Sequence, residues 1–286
     1  MVNWYPGHMA RTKKILKKNI NLIDLVIEVL DARIPASSRT GEIDDYLVNN
    51  EHIIVLNKRD IADKSITENW LKHYKKKEQV SIIAVNALQK SKIRGIENII
   101  NEISREINNK LQTKGREARS VRVMVVGIPN VGKSALINSL IGKGMAKTGN
   151  KAGITRGKQW IKIGNKIELL DTPGILSPDL EDEDKAYKLA ITGAINMKHY
   201  DPEIAAYKFI DYIRKINPEI LADYYNIDIN PTEHSYDVLS LIAKRRGCLM
   251  SGGKVDRIRA AKIILNDYQK GKIGSISLEI PPNEEI

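Results

Sequence analysis

The sequence predicts an α/β domain built on a doubly wound, mostly parallel sheet, followed by a small all-helical domain. Three observations carry that expectation. Short runs of β-branched residues alternate with helix-length segments up to about residue 176, the pattern of strands joined by crossover helices. At 127–134 the eight residues Gly127-Ile-Pro-Asn-Val-Gly132-Lys133-Ser134 sit between a strand-like run and a helix-like one. From about residue 178 the period changes to that of helices, punctuated by Asp201-Pro202, Asn217-Pro218 and Asn230-Pro231. The expected domains are therefore 1–176 and 177–286.

Taken in order, residues 1–20 carry five basic side chains (Arg11, Lys13, Lys14, Lys17 and Lys18) and no acidic one. A stiff leader, Trp4 to Gly7, precedes a helix expected from Ala10. This face either contacts phosphates or is simply solvated. Strands are expected at 25–30, 53–56 and 82–85, with helices at 41–49 and 66–77 between them. A long amphipathic segment, 93–114, leads to the strand Val121–Val126. After the helix that opens at Ser134 comes a Gly/Lys/Thr-rich stretch, 142–158. Two strands, 158–163 and 166–170, follow, joined by a Gly164-Asn165 hairpin.

Composition narrows the function. The chain has 286 residues, with 46 Lys and Arg against 35 Asp and Glu, a formal net charge of +11. That excess favours a polyanionic partner, nucleic acid above all. Aromatics make up only 5%, so base stacking on an aromatic platform is not the expected mode. A single cysteine, Cys248, excludes an intrachain disulfide framework and suits a reducing compartment. No apolar run is long enough to cross a membrane, so a soluble cytoplasmic protein is expected. The last third is electrically split: 13 acidic and 6 basic side chains in 178–237, then 2 acidic and 9 basic in 238–273. Lys244, Arg245, Arg246, Lys254, Arg257, Arg259 and Lys262 would form one basic face, for RNA or for solvent.

The motif at 127–134 matches the phosphate-binding loop G-x-x-x-x-G-K-[ST] without substitution. Its glycines let successive N–H groups turn inward to phosphate oxygens, and the helix dipole adds to that cradle. Asn130, Val131, Gly132 and Ala135 would line it, with Lys133 on the β- and γ-phosphates and Ser134 on Mg²⁺. At another strand end, Asn57-Lys58-Arg59-Asp60 has the chemistry of a guanine reader. Asp60 can accept from N1–H and N2–H₂ of guanine, whereas adenine would leave the carboxylate unpaired. Asn57 would meet the base edge and the neighbouring loop, and the Lys58 stem would cover the ring. Asn86-Ala87 would bring a backbone N–H, that of Ala87, toward guanine O6. Asp171-Thr-Pro-Gly174 would hold Mg²⁺ through water at Asp171 and face the γ-phosphate with the Gly174 N–H. Thr155, with Thr148 as rival, would close over metal and phosphate.

Together these motifs resemble the GTPases, except that the base-reading pair precedes the phosphate loop. That order is similar to the circularly permuted P-loop GTPases. The leader Trp4-Tyr5-Pro6-Gly7-His8-Met9, the segment Asp31-Ala-Arg-Ile-Pro35 and the tail Gly271 to Glu279 resemble the YlqF/RbgA group in particular. Asn86 departs from the serine usual there. The resemblance implies a GTPase acting in late assembly of the bacterial large ribosomal subunit, with a helical tail contacting rRNA. It also directs attention to His8 as the water-orienting group, because Ile175 occupies the place where Ras-like enzymes carry glutamine. Asn130 resembles the asparagine that helps hold K⁺ in cation-dependent GTPases. Arg33, Arg39 and Arg156 are further options for completing the site. A monomer is expected. Two rival readings stand beside this one: a GTP-stabilised RNA-binding module with little turnover, and a GTPase coupled to transfer-RNA modification, for which no second catalytic centre is visible.

Overall fold

The computed structural model describes residues 17–47, 50–78, 80–89, 93–144, 160–164, 166–170, 180 and 182–282. Six strands form one sheet: β1 (Leu25–Asp31), β2 (Glu51–Asn57), β3 (Ser81–Ala84), β4 (Val121–Val126), β5 (Trp160–Ile163) and β6 (Ile167–Leu170). Their spatial order is β3-β2-β1-β4-β6-β5. Every neighbouring pair is parallel except β5 with β6. All seven residues of β1 are buried, which its central position and the covered faces of a parallel sheet require. From β1 the chain steps to β2 and β3 on one side and then returns to place β4 on the other. This reversal opens a crevice beyond the carboxyl ends of β1 and β4.

The crossover helices follow the apolar spacing. Helix α1 is the single turn Pro35–Ser38, and α2 spans Lys64–Glu78. Ile96, Ile100 and Ile103 line the buried face of α3 (Arg94–Gln112), and α4 (Lys133–Gly144) leaves the loop after β4. The stretch 41–49, expected as an α-helix, is instead a 3-10 helix over Gly41–Tyr46. Its bonds close three residues apart, Ile43 N–H to Thr40 O at 3.4 Å and Leu47 N–H to Asp44 O at 3.3 Å.

Beyond the sheet, α5 (Glu183–Ile191), α6 (Pro202–Ile216), α7 (Ile220–Tyr225), α8 (Ser235–Arg245) and α9 (Arg257–Gln269) pack together. Asp182, Asp201 and Asp256 cap α5, α6 and α9 by accepting from first-turn N–H groups. Phe209 and Tyr268 meet at a ring separation of 4.7 Å in the helical core. The apolar interior runs without a break from β1 and β4 into these helices; a second cluster, around Trp70 and Tyr74, covers the opposite side of the sheet.

The described tail after α9 is not helical. Residues 271–280 form a strap lying back across the α/β region. Ile276 N–H donates to Ile61 O at 3.2 Å, Leu278 N–H to Arg33 O at 2.8 Å, and Trp70 Nε1–H to Glu279 O at 3.0 Å. The Glu279 carboxylate accepts from the Ala36 and Ser37 N–H groups, at 2.8 and 3.1 Å, and from the Ser37 hydroxyl. Periodicity could not reveal this strap, because the partners in these bonds lie more than 200 positions away in the chain.

Candidate nucleotide site

The loop after β4 is shaped by two close approaches. A Cβ on Gly127 would lie 2.4 Å from Val29 O, and one on Gly132 would lie 2.1 Å from the Asn57 amide nitrogen, both at positive φ. The loop therefore rests directly on the ends of β1 and β2. Lys133 is buried and its amine donates to Ile128 O. Burial pushes the Lys133 pKa down to about 8. Ser134, the next residue, is exposed at the start of α4, and its hydroxyl is of the kind that suits a hard cation such as Mg²⁺.

Asn57 joins three motif segments. Its Nδ2 donates to Val131 O in the phosphate loop at 2.8 Å, and its Oδ1 accepts from Ala87 N–H at 2.9 Å. The Ala87 N–H, expected near guanine O6, is engaged with Asn57, so a bond to the base must share or replace that contact. Asn86 is likewise turned inward, its Oδ1 accepting from Leu88 N–H at 2.9 Å, and it shapes the loop instead of facing the crevice. Ser139 on α4 holds the same loop by donating to Ala87 O at 2.6 Å. No sequence pattern singles out Ser139, a lone hydroxyl on an otherwise ordinary helix. Asp60 exposes its side chain, while its backbone carbonyl accepts from Ser275 Oγ of the strap at 3.1 Å.

Lys58 adopts φ +64° and reaches back to Asp31, Nζ to Oδ2 at 2.9 Å. Burial pushes the Asp31 pKa up, but the adjacent Arg33 and Lys58 charges outweigh it and hold this carboxyl well below the usual carboxylate range. Asn130, at φ +60°, donates from Nδ2 to Gly193 O at 2.9 Å. A carbonyl only accepts, so the amide nitrogen must face Gly193, and the amide oxygen is left to face elsewhere.

Other candidates fall outside the site. Arg33 is fully buried against Asp31 and Thr192 O, so it is not poised as an arginine finger. Arg39 meets Glu28 at 3.4 Å and Asp44 at 2.9 Å. On the basic tail, Arg246 pairs with Asp267 at 2.8 Å and Arg257 with Glu203 at 3.0 Å, while Arg245 Nε donates to Tyr225 O at 3.2 Å. Arg246 and Arg257 thus brace the helical packing instead of standing free for RNA; their acidic partners are 21 and 54 positions away. Lys244, Lys254 and Arg259 are exposed. His8, Lys13, Lys14, Thr148, Thr155, Arg156, Asp171, Gly174 and Ile175 lie outside the described residues. Among the described residues, no helix is long and apolar enough to cross a membrane.

A phosphate loop at the switch point of a doubly wound sheet, clasped to a base-reading loop, defines the class: this is a circularly permuted P-loop GTPase fold. A family profile described as a 50S ribosome-binding GTPase matches residues 122–219. That match begins in β4, so residues 57–60 precede it, as the permuted order demands. The chain is 41% identical over 285 residues to Ribosome biogenesis GTPase A of Priestia megaterium, covering 99% of this chain and 98% of that one. The Thermotoga maritima protein of the same name is 33% identical, with 98% and 95% covered. The GDP-bound structure of Thermotoga maritima YlqF superposes with a TM-score of 0.66 at 29% identity, over 94% of this chain and all of that one. The GNP-bound form gives 0.65 at 29% identity, over 96% and 99%. The chain belongs to the ribosome biogenesis GTPase A family.

Proposed function

We propose that the protein hydrolyses GTP to GDP and phosphate as a switch in late assembly of the bacterial large ribosomal subunit, in the cytoplasm, with the preribosomal particle and its rRNA as activating partner. The observation that carries the reading is Asn57, whose one amide bonds the phosphate loop at Val131 O and the second base loop at Ala87 N–H. Asn57 thereby holds the phosphate and base loops side by side, as a guanine nucleotide would need. Lys133 would leave Ile128 O for the phosphates, and Asp60 would read the base edge. Ser134, with Thr155 and Asp171, would hold Mg²⁺, which supplies charge to offset that of the phosphates. Asn130 would offer its amide oxygen to K⁺. Lys13, Lys14, Lys244, Lys254 and Arg259 would meet RNA phosphates, with Arg245, Arg246 and Arg257 supporting that face, and the protein would act as a monomer.

Ile175 favours a second reading, a GTP-stabilised RNA-binding module with little turnover, because an aliphatic side chain cannot align water. GTP turnover in KCl, with and without purified large subunits, for wild type and His8→Ala, separates the two. Strong stimulation that His8→Ala largely removes, with GTP binding intact, is the expected result. No stimulation of either protein would favour the module, and stimulation retained in His8→Ala would move the water-orienting role elsewhere.

A further inference from the structure

The segment Asp31-Ala32-Arg33-Ile34-Pro35 has no part in the chemistry above, yet it holds more buried charge than a strand-to-helix turn requires. Asp31 Oδ1 accepts from Arg33 N–H at 3.1 Å and Arg33 Nε at 2.9 Å. Its Oδ2 accepts from Arg33 Nη2 at 2.7 Å and Lys58 Nζ at 2.9 Å. One carboxylate therefore grips both a buried arginine and the lysine of the base-reading motif. Arg33 in turn touches three other parts of the molecule. Its Nη2 donates to Thr192 O just past α5 at 3.1 Å, its guanidinium lies 5.0 Å from the Tyr268 ring of α9, and its carbonyl accepts from Leu278 of the strap at 2.8 Å. A buried ion pair is seldom the most stable filling for such a space. What this one adds is a connection.

We propose that Asp31 and Arg33 are positioning residues for guanine recognition, holding the Lys58 stem over the purine face and making that pose depend on the seating of α5, α9 and the strap. The proposal deepens the reading of residues 57–60 as a guanine site and rests on it. Because coupling is reciprocal, a ligand that carries the base tightens the strap, whereas pyrophosphate, which fills only the phosphate loop, does not.

The test uses the full chain and measures binding of GDP, ADP and pyrophosphate with Mg²⁺ to wild type, Asp31→Asn, Lys58→Met and the double variant. GDP affinity is expected to fall about tenfold in either single variant and little further in the double, with pyrophosphate binding unchanged. Amide exchange in residues 273–279 should slow with GDP but not with pyrophosphate in wild type, and with neither in Asp31→Asn. Additive losses in the double variant, or a parallel fall in pyrophosphate affinity, would overturn the proposal. Equal binding of ADP and GDP by wild type would instead overturn the guanine reading itself. Should Asp31→Asn fail to fold, Lys58→Met carries the test alone, because it leaves the Asp31–Arg33 pair in place. Undiminished GDP-dependent protection of the strap in that variant would sink the idea.

Discussion

Lys133 sits in the loop after β4 with its amine on Ile128 O and its pKa pushed down to about 8 by burial. Phosphates would restore the proton, so nucleotide binding should take up as much as one proton between pH 8 and the ordinary lysine value near 10.5. GDP affinity is then expected to fall as pH rises through this window, and calorimetry in two buffers of different ionisation enthalpy would count the proton. The sign for folding is opposite. The unfolded chain binds the extra proton in that window, so Lys133 makes the nucleotide-free protein more stable as pH rises from 8 toward 10.5. At this scale the sequence was most informative where chemistry is local. The spacings at 127–134 and 57–60 could be read as phosphate and guanine motifs because each must fit one chemical group. Ser139, Gly193 and Glu279 were silent, since each acts on a residue 52, 63 or more than 240 positions away and belongs to no spacing.

The carboxyl end of α5 shows what an element contributes beyond its own packing. The carbonyls of Ile191, Thr192 and Gly193 accept in turn from Gln269, Arg33 and Asn130, at 2.9, 3.1 and 2.9 Å. A helix must leave its last carbonyls without internal partners, and here α9, the β1 loop and the phosphate loop supply them. Gly193 allows the turn, at φ +82°, and a Cβ there would lie 3.0 Å from Gln269 Cδ. Gly193→Ala should cost about 1–2 kcal/mol and lower the thermal midpoint by a few degrees. Adding Gln269→Ala should relieve the clash and leave the backbone strain, as a melting comparison of the two variants would show. Strands and helices were readable because burial imposes a period on them. The 3-10 turn at Gly41–Tyr46 was not, since the same residues suit either helix and only the closing bonds distinguish them.

Across the whole molecule, the strap is one of the links that tie two regions of different period into a shared interior. The Glu279 carboxylate takes three donors from α1, and Lys188 of α5 lies 3.5 Å from it. Glu279→Ala would strip partners from the buried N–H and hydroxyl of Ser37, the part-buried N–H of Ala36 and a half-buried cation, a loss of about 2–4 kcal/mol. A urea titration should show a lower midpoint with an unchanged slope; a lower slope would mean that the strap had detached and exposed surface in the native state. The alternation of strands and helices foretold a doubly wound, mostly parallel sheet, and the change of period near 178 foretold the helices. Neither pattern could show that the end of the chain returns to the base-reading loop.

That return has a consequence in time. Residues 60 and 275 are bonded to each other although 215 positions separate them. At a synthesis rate of about 5–20 residues per second, the base-reading loop waits on the order of 10–40 s after leaving the ribosome before its brace exists. A nascent chain that has already made the loop at 127–134 still lacks the bond behind residues 57–60. The order of the segments thus makes residue 275 the last of these parts to be in place.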